Sequence, residues 1–591
     1  LVFALGAASL GYEVLWTRIL LLHLGSSVYA YSIMLLLVLL GIASGSLAVA
    51  RVVDRSESPL RALAAIELAL GASVLLQIFL FQELDLLLLT AAELLPPATF
   101  GRYAIGQMLA VLPLLGPPTF LMGMAFPFAV RAFNRSGARI GEDAGSVYGA
   151  NTLGAVVGSL ATGFLLIPLL GTQSSLLLLG GVNALLGAAF ARRGGGRRLT
   201  LVAAAAAVAI PACILLFPPD RVLLSAGIFQ GDAPGDLEYF HEDAQATVTI
   251  RKREKDGETY RALAVNGVDV AGSSPELEAV QRMQGHLPML LGGGARSVVH
   301  IGFGSGGTAW AVAQSPVERI LIVEISPEVI RASDTYFGAI NRGVLSDPRV
   351  AVEINDGRNF LLASPERFDA VLSDSIHPAY AGNGSLYSLE YFRLIRERVR
   401  PGGVVSMWLP LYYLTPDNYA GILRAFGEVF PKVAVWYEPS TINAFTIVTG
   451  KLEDPVWDPA RVSAAFSVPA VESDLAGLGI RTPVELVPLL LATEHELASW
   501  VEEVGANTDD RPRVEYESAR LLDRNRSWLE NFSRLLELRP ADPPAEYLAG
   551  LDPDERREAR RLWAARTVEL AEQERALAIR IQSLEGGEAN P

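Results

Sequence analysis

The stretch SVVHIGFGSGG, from Ser297 to Gly307, joins an apolar segment typical of a buried strand to a turn that is rich in glycine. Glycine has no Cβ atom, so it permits a tight turn and lets the backbone approach a bound ligand closely. Strand, glycine turn and helix signals then repeat along the chain, which predicts a parallel α/β sheet. The glycine pattern by itself is weak evidence for any particular ligand.

The three apolar segments that follow each end in a carboxylate. RILIVE ends at Glu324, VAVEIND at Asp356 and FDAVLSD at Asp374. Glu324 follows Gly302 by 22 residues, a separation at which an acidic side chain meets the hydroxyls of a ribose. Open α/β sheets bind ligands at the carboxyl ends of their strands, so these acids are candidate site residues. The alternative is that they only cap the helices that follow.

The first 219 residues form a different kind of region. Their apolar stretches lie near residues 1–24, 28–50, 62–81, 103–130, 147–170, 173–191 and 199–217. A helix needs roughly 20 residues to cross about 30 Å of hydrocarbon. We therefore predict a membrane domain over 1–219 with about seven transmembrane helices, for which the lipid bilayer is a partner.

Charge also separates the two halves of the chain. Residues 1–219 carry 12 Arg, no Lys and 9 acidic residues, a net charge of +3, so the remainder carries −18 to give the total of −15. An acidic soluble surface disfavours nucleic acid as a partner. The single cysteine, Cys213, rules out an internal disulfide framework. The six His and one Cys show no metal-ligand spacing, and we predict no metal.

Arginine clusters bear on the side of the membrane that the soluble half occupies. Three loops contain ten arginine residues: Arg51, Arg55, Arg61, Arg131, Arg135, Arg139, Arg192, Arg193, Arg197 and Arg198. By the positive-inside rule these loops are cytoplasmic. If residues 199–217 make a complete span, the soluble half lies outside the cytoplasm. If they form a re-entrant or surface-lying segment, it lies inside, and the sequence leaves both arrangements open.

After the membrane region the pattern changes twice. Apolar and polar residues alternate around Asp256-Gly257, which predicts a small β-hairpin unit within 220–285. The strand and helix repeat predicts a Rossmann-like domain over 286–450. Apolar residues at helical spacing among charges predict a helical tail over 451–591.

Six collinear segments resemble the spermidine synthases, the polyamine aminopropyltransferases, whose fold is that of class I methyltransferases. They are GFGSGG, LIVEISPEVI, DPRVAVEINDGRNFL, FDAVLSDSIHP, SLYSLEYFRLIRERVRPGG and QRMQGHLPMLL, all within residues 237–450. With YEVLWTR, MGMAFPFAVR and YGANTLGAVVGSLATGFLLIPLLG before them and NTDDRPRVEYES after them, the whole chain is similar to the bacterial transmembrane spermidine synthase-like family. The resemblance implies a multi-pass α-helical membrane domain fused to an α/β class I methyltransferase-like domain. It also implies an integral protein of the bacterial inner membrane that forms a homo-oligomer or a membrane-protein complex.

The same resemblance implies that decarboxylated S-adenosylmethionine is the co-substrate. In the family, the acid after the second strand holds the ribose, which falls on Glu324. The acid of the Asp-Gly pair contacts the adenine side, which falls on Asp356. The cofactor-binding residues predicted in this way are Gly302, Gly304, Ser305, Gly306, Glu324, Asp356 and Gly357.

Asp374 takes the place of the family's general base, which acts on the attacking amine. A base is needed because an alkylamine with a pKa near 10.4 is only about one part in a thousand neutral at pH 7. Gln281 falls on a substrate-lining position. The resemblance therefore implies a small-molecule amine as the substrate.

Two positions depart from the family pattern, and both concern recognition of a cation. The aspartate that grips the aminopropyl ammonium is here Ser305, and the second loop aspartate, which helps to hold the diamine, is here His377. A neutral serine and a histidine bind an ammonium less well than a carboxylate does. Three hypotheses follow. The chain is an aminopropyltransferase with altered amine specificity, a methyltransferase that uses S-adenosylmethionine, or a non-catalytic membrane-complex subunit or sensor.

Overall fold

The structure, a computed structural model, describes residues 1–133, 140–215, 221, 224, 236–255, 257–438, 442–453 and 456–586. The chain divides into two compact units, Leu1–Thr249 and Ile250–Pro591. The predicted domain boundary at residues 219–220 lies outside the described residues, as do Asp256 of the predicted hairpin and two of the loop arginines, Arg135 and Arg139.

The first unit is built mainly of apolar helices. They are α1 (Val2–Leu24), α2 (Val28–Val49), α3 (Pro59–Gln82), α4 (Leu84–Leu94), α5 (Phe100–Phe133), α6 (Ile140–Ala161), α7 (Ile167–Leu170), α8 (Thr172–Arg193) and α9 (Arg197–Ala212). A π-helical turn, Thr162–Leu166, joins α6 to α7 in one apolar run. Within the described ranges, six helical segments are long and apolar enough to cross a membrane: α1, α2, α3, α5, the α6–α7 run and α8. These six agree with six of the predicted stretches.

The seventh predicted stretch, residues 199–217, forms a shorter helix. The described helix α9 has 16 residues and contains Pro211 next to its end at Ala212. At about 1.5 Å per residue, 16 residues extend about 24 Å, which is less than the thickness of the hydrocarbon layer. Whether this part of the chain crosses the membrane stays a prediction.

A four-stranded sheet precedes the larger one. Its strands, in spatial order, are β1 (Leu237–Glu242), β2 (Thr247–Lys255), β3 (Glu258–Val265) and β4 (Val268–Gly272). The antiparallel pair β3–β4 turns at Asn266-Gly267, where both residues have positive φ, as a two-residue hairpin turn requires.

The second unit contains an eight-stranded sheet. Its strands are β5 (Ser297–Ile301), β6 (Arg319–Glu324), β7 (Val350–Ile354), β8 (Phe368–Ser373), β9 (Val399–Pro410), β10 (Lys432–Trp436), β11 (Phe445–Lys451) and β12 (Leu490–Thr493). Their order is β12-β10-β11-β9-β8-β5-β6-β7. The pairs among β5 to β9 are parallel, and the pairs that involve β10, β11 or β12 are antiparallel. The strand order reverses between β5 and β8, and ligands bind outside the carboxyl ends of strands at such a switch point. The predicted α/β fold class is confirmed.

Helices cover both faces of this sheet. They are α10 (Pro275–Gly292), α11 (Gly307–Ala313), α12 (Pro327–Tyr336), α13 (Gly338–Asn341), α14 (Gly357–Ala363), α15 (Leu389–Arg398), α16 (Pro416–Gly427), α17 (Pro459–Phe466), α18 (Pro469–Gly477), α19 (Glu494–Glu502), α20 (Arg513–Ser518), α21 (Arg524–Leu538), α22 (Ala545–Leu548) and α23 (Pro553–Gly586). Val298 and Ile322 face a core shared with α10 and α11, whereas Val299 and Ile301 face a core shared with α15 and α16.

The C-terminal part is more than the helical tail that the sequence predicts. It supplies strand β12 to the edge of the sheet, next to β10. Phe532 and Leu535 of α21 are fully buried in the core on the α15 side. The four-residue strand LLAT is too short to show a periodic pattern, which is why sequence periodicity does not reveal it.

Candidate functional site

The glycine turn after β5 has a backbone that other residues adopt only with strain. Gly302, Gly304 and Gly306 have φ angles of 87°, 54° and 86°. A Cβ atom on Gly302 would collide with the carbonyl oxygen of Asp374, and one on Gly306 would collide with the ring of Phe303. The turn therefore packs closely against the loop that follows β8. Glycine is required there because a side chain would not fit and because φ is positive.

Glu324, at the end of β6, is tied to this turn. Its Oε2 atom accepts a hydrogen bond from the amide of Phe303 at 2.9 Å, and its Oε1 atom accepts one from the amide of Ser326 at 3.0 Å. Burial raises the pKa of the Glu324 carboxyl, and the two amide hydrogen bonds act against that rise. The structure thus brings together the glycine turn and the acid that were predicted to share a site.

Asp356 follows β7 and begins helix α14. Its Oδ1 atom accepts a hydrogen bond from the amide of Asn359 at 2.8 Å, so the side chain caps the helix. At the next residue, Gly357, a Cβ atom would collide with Ile301 of β5. Asp356 lies at the predicted edge of the sheet and also has the capping role that was the alternative interpretation.

Asp374 is the first residue after β8, at the switch point. Its amide donates to the carbonyl of Ile301 at 2.8 Å, which holds it beside the end of β5. The hydroxyl of Thr308 on α11 donates to Oδ2 of Asp374 at 2.9 Å. The side chain is 25% exposed, so it is fixed by the protein and still reaches solvent. The sequence reasoning did not find Thr308, whose position is set only when α11 packs over the turn.

Ser305 and Gln281 contact each other. The Ser305 hydroxyl donates to Oε1 of Gln281 at 2.7 Å, and Ser305 is buried. Gln281 lies on α10, which packs against α11. The two predicted site residues therefore share one neutral hydrogen bond within the protein.

His377 lies buried in the loop that follows β8. Its Nδ1 atom accepts a hydrogen bond from the amide of Ala379 at 3.1 Å, and its Nε2 atom lies 2.8 Å from the carbonyl oxygen of Tyr412. An N–H group faces one nitrogen and a carbonyl faces the other, so this arrangement fits a neutral ring with its hydrogen on Nε2. The rings of Tyr380, Tyr412 and Tyr413 lie 5.6, 4.8 and 5.6 Å from the imidazole, centroid to centroid.

The segment that begins with NTDDRP holds the loop after β8 from outside. The side-chain amide of Asn507 donates to the carbonyls of Gly384 and Tyr387, at 3.2 and 3.0 Å. Asp509 forms a two-point ion pair with Arg358 of α14. These contacts join residues more than 100 positions apart, so no local sequence signal predicts them.

Among the described residues, no group of three or more His, Cys, Asp or Glu side chains is arranged to hold a metal ion.

A glycine turn at the switch point, flanked by strands that end in carboxylates, is typical of α/β domains with the class I methyltransferase-like fold. Residues 277–449 match the family model described as the spermine/spermidine synthase domain. This part of the chain is therefore spermidine synthase-like, as the sequence motifs predict.

Several polyamine aminopropyltransferases are similar to this chain. That of Nitrosomonas europaea is 31% identical over 171 residues, which are 29% of this chain and 52% of the relative. That of Mycobacterium tuberculosis is 28% identical over 359 residues, 58% of this chain and 67% of the relative. The chain thus spans about half the length of the first of these relatives. Among solved structures, a spermidine synthase from Thermotoga maritima is 20% identical, with a TM-score of 0.31 over 41% of this chain and 88% of that one.

Proposed function

We propose that the second unit transfers an aminopropyl group from decarboxylated S-adenosylmethionine to a small amine that differs from the family's diamine. The observation that carries this proposal is the placement of Asp374. It lies at the switch point, against the glycine turn, and on the other side of β5 from Glu324. The match of residues 277–449 to the spermine/spermidine synthase domain supports it.

The residues present fit the nucleoside part of such a co-substrate. The turn from Gly302 to Gly306 lets backbone amides come close to a ligand without side chains in the way. Glu324 and Asp356 supply carboxylate oxygens at the ends of neighbouring strands, and these oxygens suit ribose and adenine donors. When bound, the co-substrate supplies an electrophilic carbon next to a sulfonium.

Asp374 is the group that prepares the amine. Its carboxylate holds the substrate ammonium and takes one proton from the nitrogen, which frees the lone pair for attack. A carbon–nitrogen bond forms as the carbon–sulfur bond breaks, and the electron pair of the broken bond stays on sulfur as methylthioadenosine leaves. The Thr308 hydroxyl orients the carboxylate through its bond to Oδ2. The products are methylthioadenosine and an amine that carries the aminopropyl group.

The amine end supports a change of specificity. Ser305 donates its hydroxyl to Gln281, and His377 bonds to Ala379 and Tyr412, so both residues are neutral and already engaged. Charge-assisted hydrogen bonds to an ammonium are roughly twice as strong as neutral ones, and the family's two carboxylates are absent at these positions. At His377, which takes the place of the aspartate that helps to hold the diamine, an amine that relies less on ionic contacts fits better than a diamine does.

Product analysis with the full-length protein in detergent tests the proposal. The protein is incubated with decarboxylated S-adenosylmethionine and a panel of monoamines, diamines and longer polyamines. We expect methylthioadenosine and one aminopropylated amine, and we expect both to disappear in Asp374→Asn but not in Asp334→Asn, an exposed aspartate on α12. The absence of methylthioadenosine with every amine would refute the proposed reaction.

A second candidate is a methyltransferase that uses S-adenosylmethionine. The Ser305 hydroxyl neither attracts the ammonium of the decarboxylated form nor repels the carboxylate of S-adenosylmethionine, so this position does not discriminate between them. This candidate requires binding of S-adenosylhomocysteine, the product of methyl transfer. Calorimetry that detects no such binding would eliminate it.

We also propose that the first unit anchors the protein in the bacterial inner membrane, and that the protein assembles as a homo-oligomer or within a membrane-protein complex. Its six long apolar helices support the anchoring role. Membrane fractionation tests the location, and native mass spectrometry in detergent tests the assembly. A protein that is extracted from membranes by salt alone would contradict the anchoring role.

A further inference from the structure

His300 is a buried histidine that the proposed reaction does not use. It lies on β5, the strand at the switch point, and none of its surface is exposed. Neither ring nitrogen has a hydrogen-bond partner among the described residues. A buried polar group without a partner is costly, and in native proteins it calls for a specific explanation.

The register of the sheet places His300 between two carboxylates. It pairs with Ile322 of β6 on one side and with Leu372 of β8 on the other. Side chains two positions apart point to the same face of a sheet, so Glu324 and Asp374 lie on the face of His300, one on each flank. The Nε2 atom of His300 is 3.6 Å from Oδ2 of Asp374. Burial raises the pKa of Glu324, and the charge of a protonated His300 acts in the opposite direction.

Other charged groups near this face are occupied elsewhere. On α10, which packs against β8, His286 and Arg282 both bind Asp474 of α18, the former with Nε2 2.6 Å from Oδ2. On α11, Thr308 contributes an uncharged hydroxyl, which it donates to Asp374. Among the described residues, the carboxylates that the strand register brings to the flanks of His300 are therefore those of Glu324 and Asp374.

We propose that His300 is the second acceptor of the reaction's proton and relays it away from Asp374. The inference rests on the proposed aminopropyl transfer. The proton moves from the amine nitrogen to Oδ2 of Asp374 and then to Nε2 of His300, which leaves Asp374 ionised again and converts the imidazole to imidazolium. No other bond forms or breaks in this step. The imidazolium then lies between two carboxylates, which stabilise its charge. After the product leaves, the proton returns from Nε2 of His300 to Asp374, whose side chain is 25% exposed, and passes to solvent.

The 3.6 Å separation is longer than a hydrogen bond and must shorten for the transfer. Catalytic hydrogen bonds are often long before substrate binds and tighten in the complex. His300 does not touch the substrate in this scheme, so it is a positioning and relay residue rather than a catalytic one.

The test compares the wild-type chain with His300→Asn, which keeps a polar side chain that does not titrate in the working range. His495→Asn, an exposed histidine on α19, is the matched control. Methylthioadenosine affinity is measured first, and kcat is then measured from about pH 5.5 to about pH 9, the interval that contains histidine titrations. We expect the pH profile of kcat to differ between the wild type and His300→Asn, because only the wild type has a second proton acceptor beside Asp374.

In His300→Asn we expect kcat at pH 8 to drop about tenfold, the pH profile of kcat to change in shape, and methylthioadenosine affinity to change less than about twofold. An unchanged kcat and profile, or a loss that is equal at every pH, would overturn the relay. If His300→Asn folds poorly, His300→Gln provides the same comparison. A wild-type protein that binds methylthioadenosine but transfers nothing would refute the proposed reaction and the relay together, which is distinct from failure of the relay alone.

Discussion

The two sides of Asp374 differ in what they offer a ligand. On the side of β6, Glu324 presents a buried carboxylate that is tied to the glycine turn by the amide of Phe303. On the amine side, Ser305 and His377 are neutral and are each bonded to other protein groups. On both sides the residues lie at or after the carboxyl end of a parallel strand. In the proposed reaction, the fold keeps the acids that suit the nucleoside, while the charges that would hold the aminopropyl ammonium and the amine substrate are replaced by neutral groups.

Removing the base should have the largest effect on the proposed reaction. Asp374→Asn keeps the shape of the side chain and an oxygen for Thr308, but an amide cannot accept the amine's proton. We expect kcat to fall about 1,000-fold, within the range for loss of a general base, with methylthioadenosine affinity nearly unchanged. Steady-state kinetics together with calorimetry separate the two quantities. A variant that retains its kcat would show that Asp374 is not the base.

The nucleoside side should respond to Glu324→Gln with a loss of binding. A hydrogen bond to a charged group contributes about 1.5–3 kcal/mol, so methylthioadenosine affinity should fall about 10- to 100-fold. Glu353→Gln, an exposed glutamate on β7, is the control. A thermal unfolding profile checks that the variant is still folded. Unaltered affinity in a folded Glu324→Gln protein would mean that Glu324 only supports the turn.

Glu324→Gln should weaken ligand binding, whereas Ser305→Asp should increase the selectivity of ligand binding. The new carboxylate attracts the ammonium of the aminopropyl group and repels the carboxylate of S-adenosylmethionine. We expect selectivity for the decarboxylated form to increase about tenfold, the equivalent of one charge-assisted contact. Competition binding with both ligands measures it. Equal selectivity in the variant and the wild type would place the ammonium away from residue 305.

Local patterns in the sequence predict much of this site. Each of the three acids ends an apolar strand, and the glycine turn follows another, so the common edge of Glu324, Asp356 and Asp374 follows from the direction of parallel strands. These predictions need no knowledge of how distant segments meet.

The remaining features depend on register and on long-range packing. His300 is visible in SVVHIGFGSGG, but its position between two carboxylates requires the pairing of β5 with β6 and β8. The Nε2 atom of His377 faces a carbonyl 35 residues away in the sequence. Asn507 holds a loop more than 100 residues earlier in the chain. Single-sequence reasoning cannot fix such contacts.

The smallest effect is expected at the ion pair between Asp509, in the segment that begins with NTDDRP, and Arg358 of α14. Arg358 lowers the pKa of Asp509, so this pair stabilises the fold above the ordinary carboxyl pKa, and the contribution is lost as pH falls through the lowered value. The pair is partly exposed, so Asp509→Asn should cost only about 0.5–1 kcal/mol at pH 7 and less near pH 3. Thermal unfolding at the two pH values measures this, with the exposed neighbour Asp510→Asn as control. A deficit that is the same at both pH values would contradict the ion-pair explanation.

The proposed reaction requires that the nucleoside end of the site binds its ligand. Calorimetric titration of methylthioadenosine into the full-length protein in detergent tests it most directly, with decarboxylated S-adenosylmethionine and S-adenosylmethionine as companion ligands and Asp356→Ala as the variant. We predict binding of methylthioadenosine and of the decarboxylated form, and weaker binding of both in the variant. No binding of any of the three ligands to the wild-type protein would contradict the account, because the glycine turn would then be inherited architecture without a nucleoside to hold.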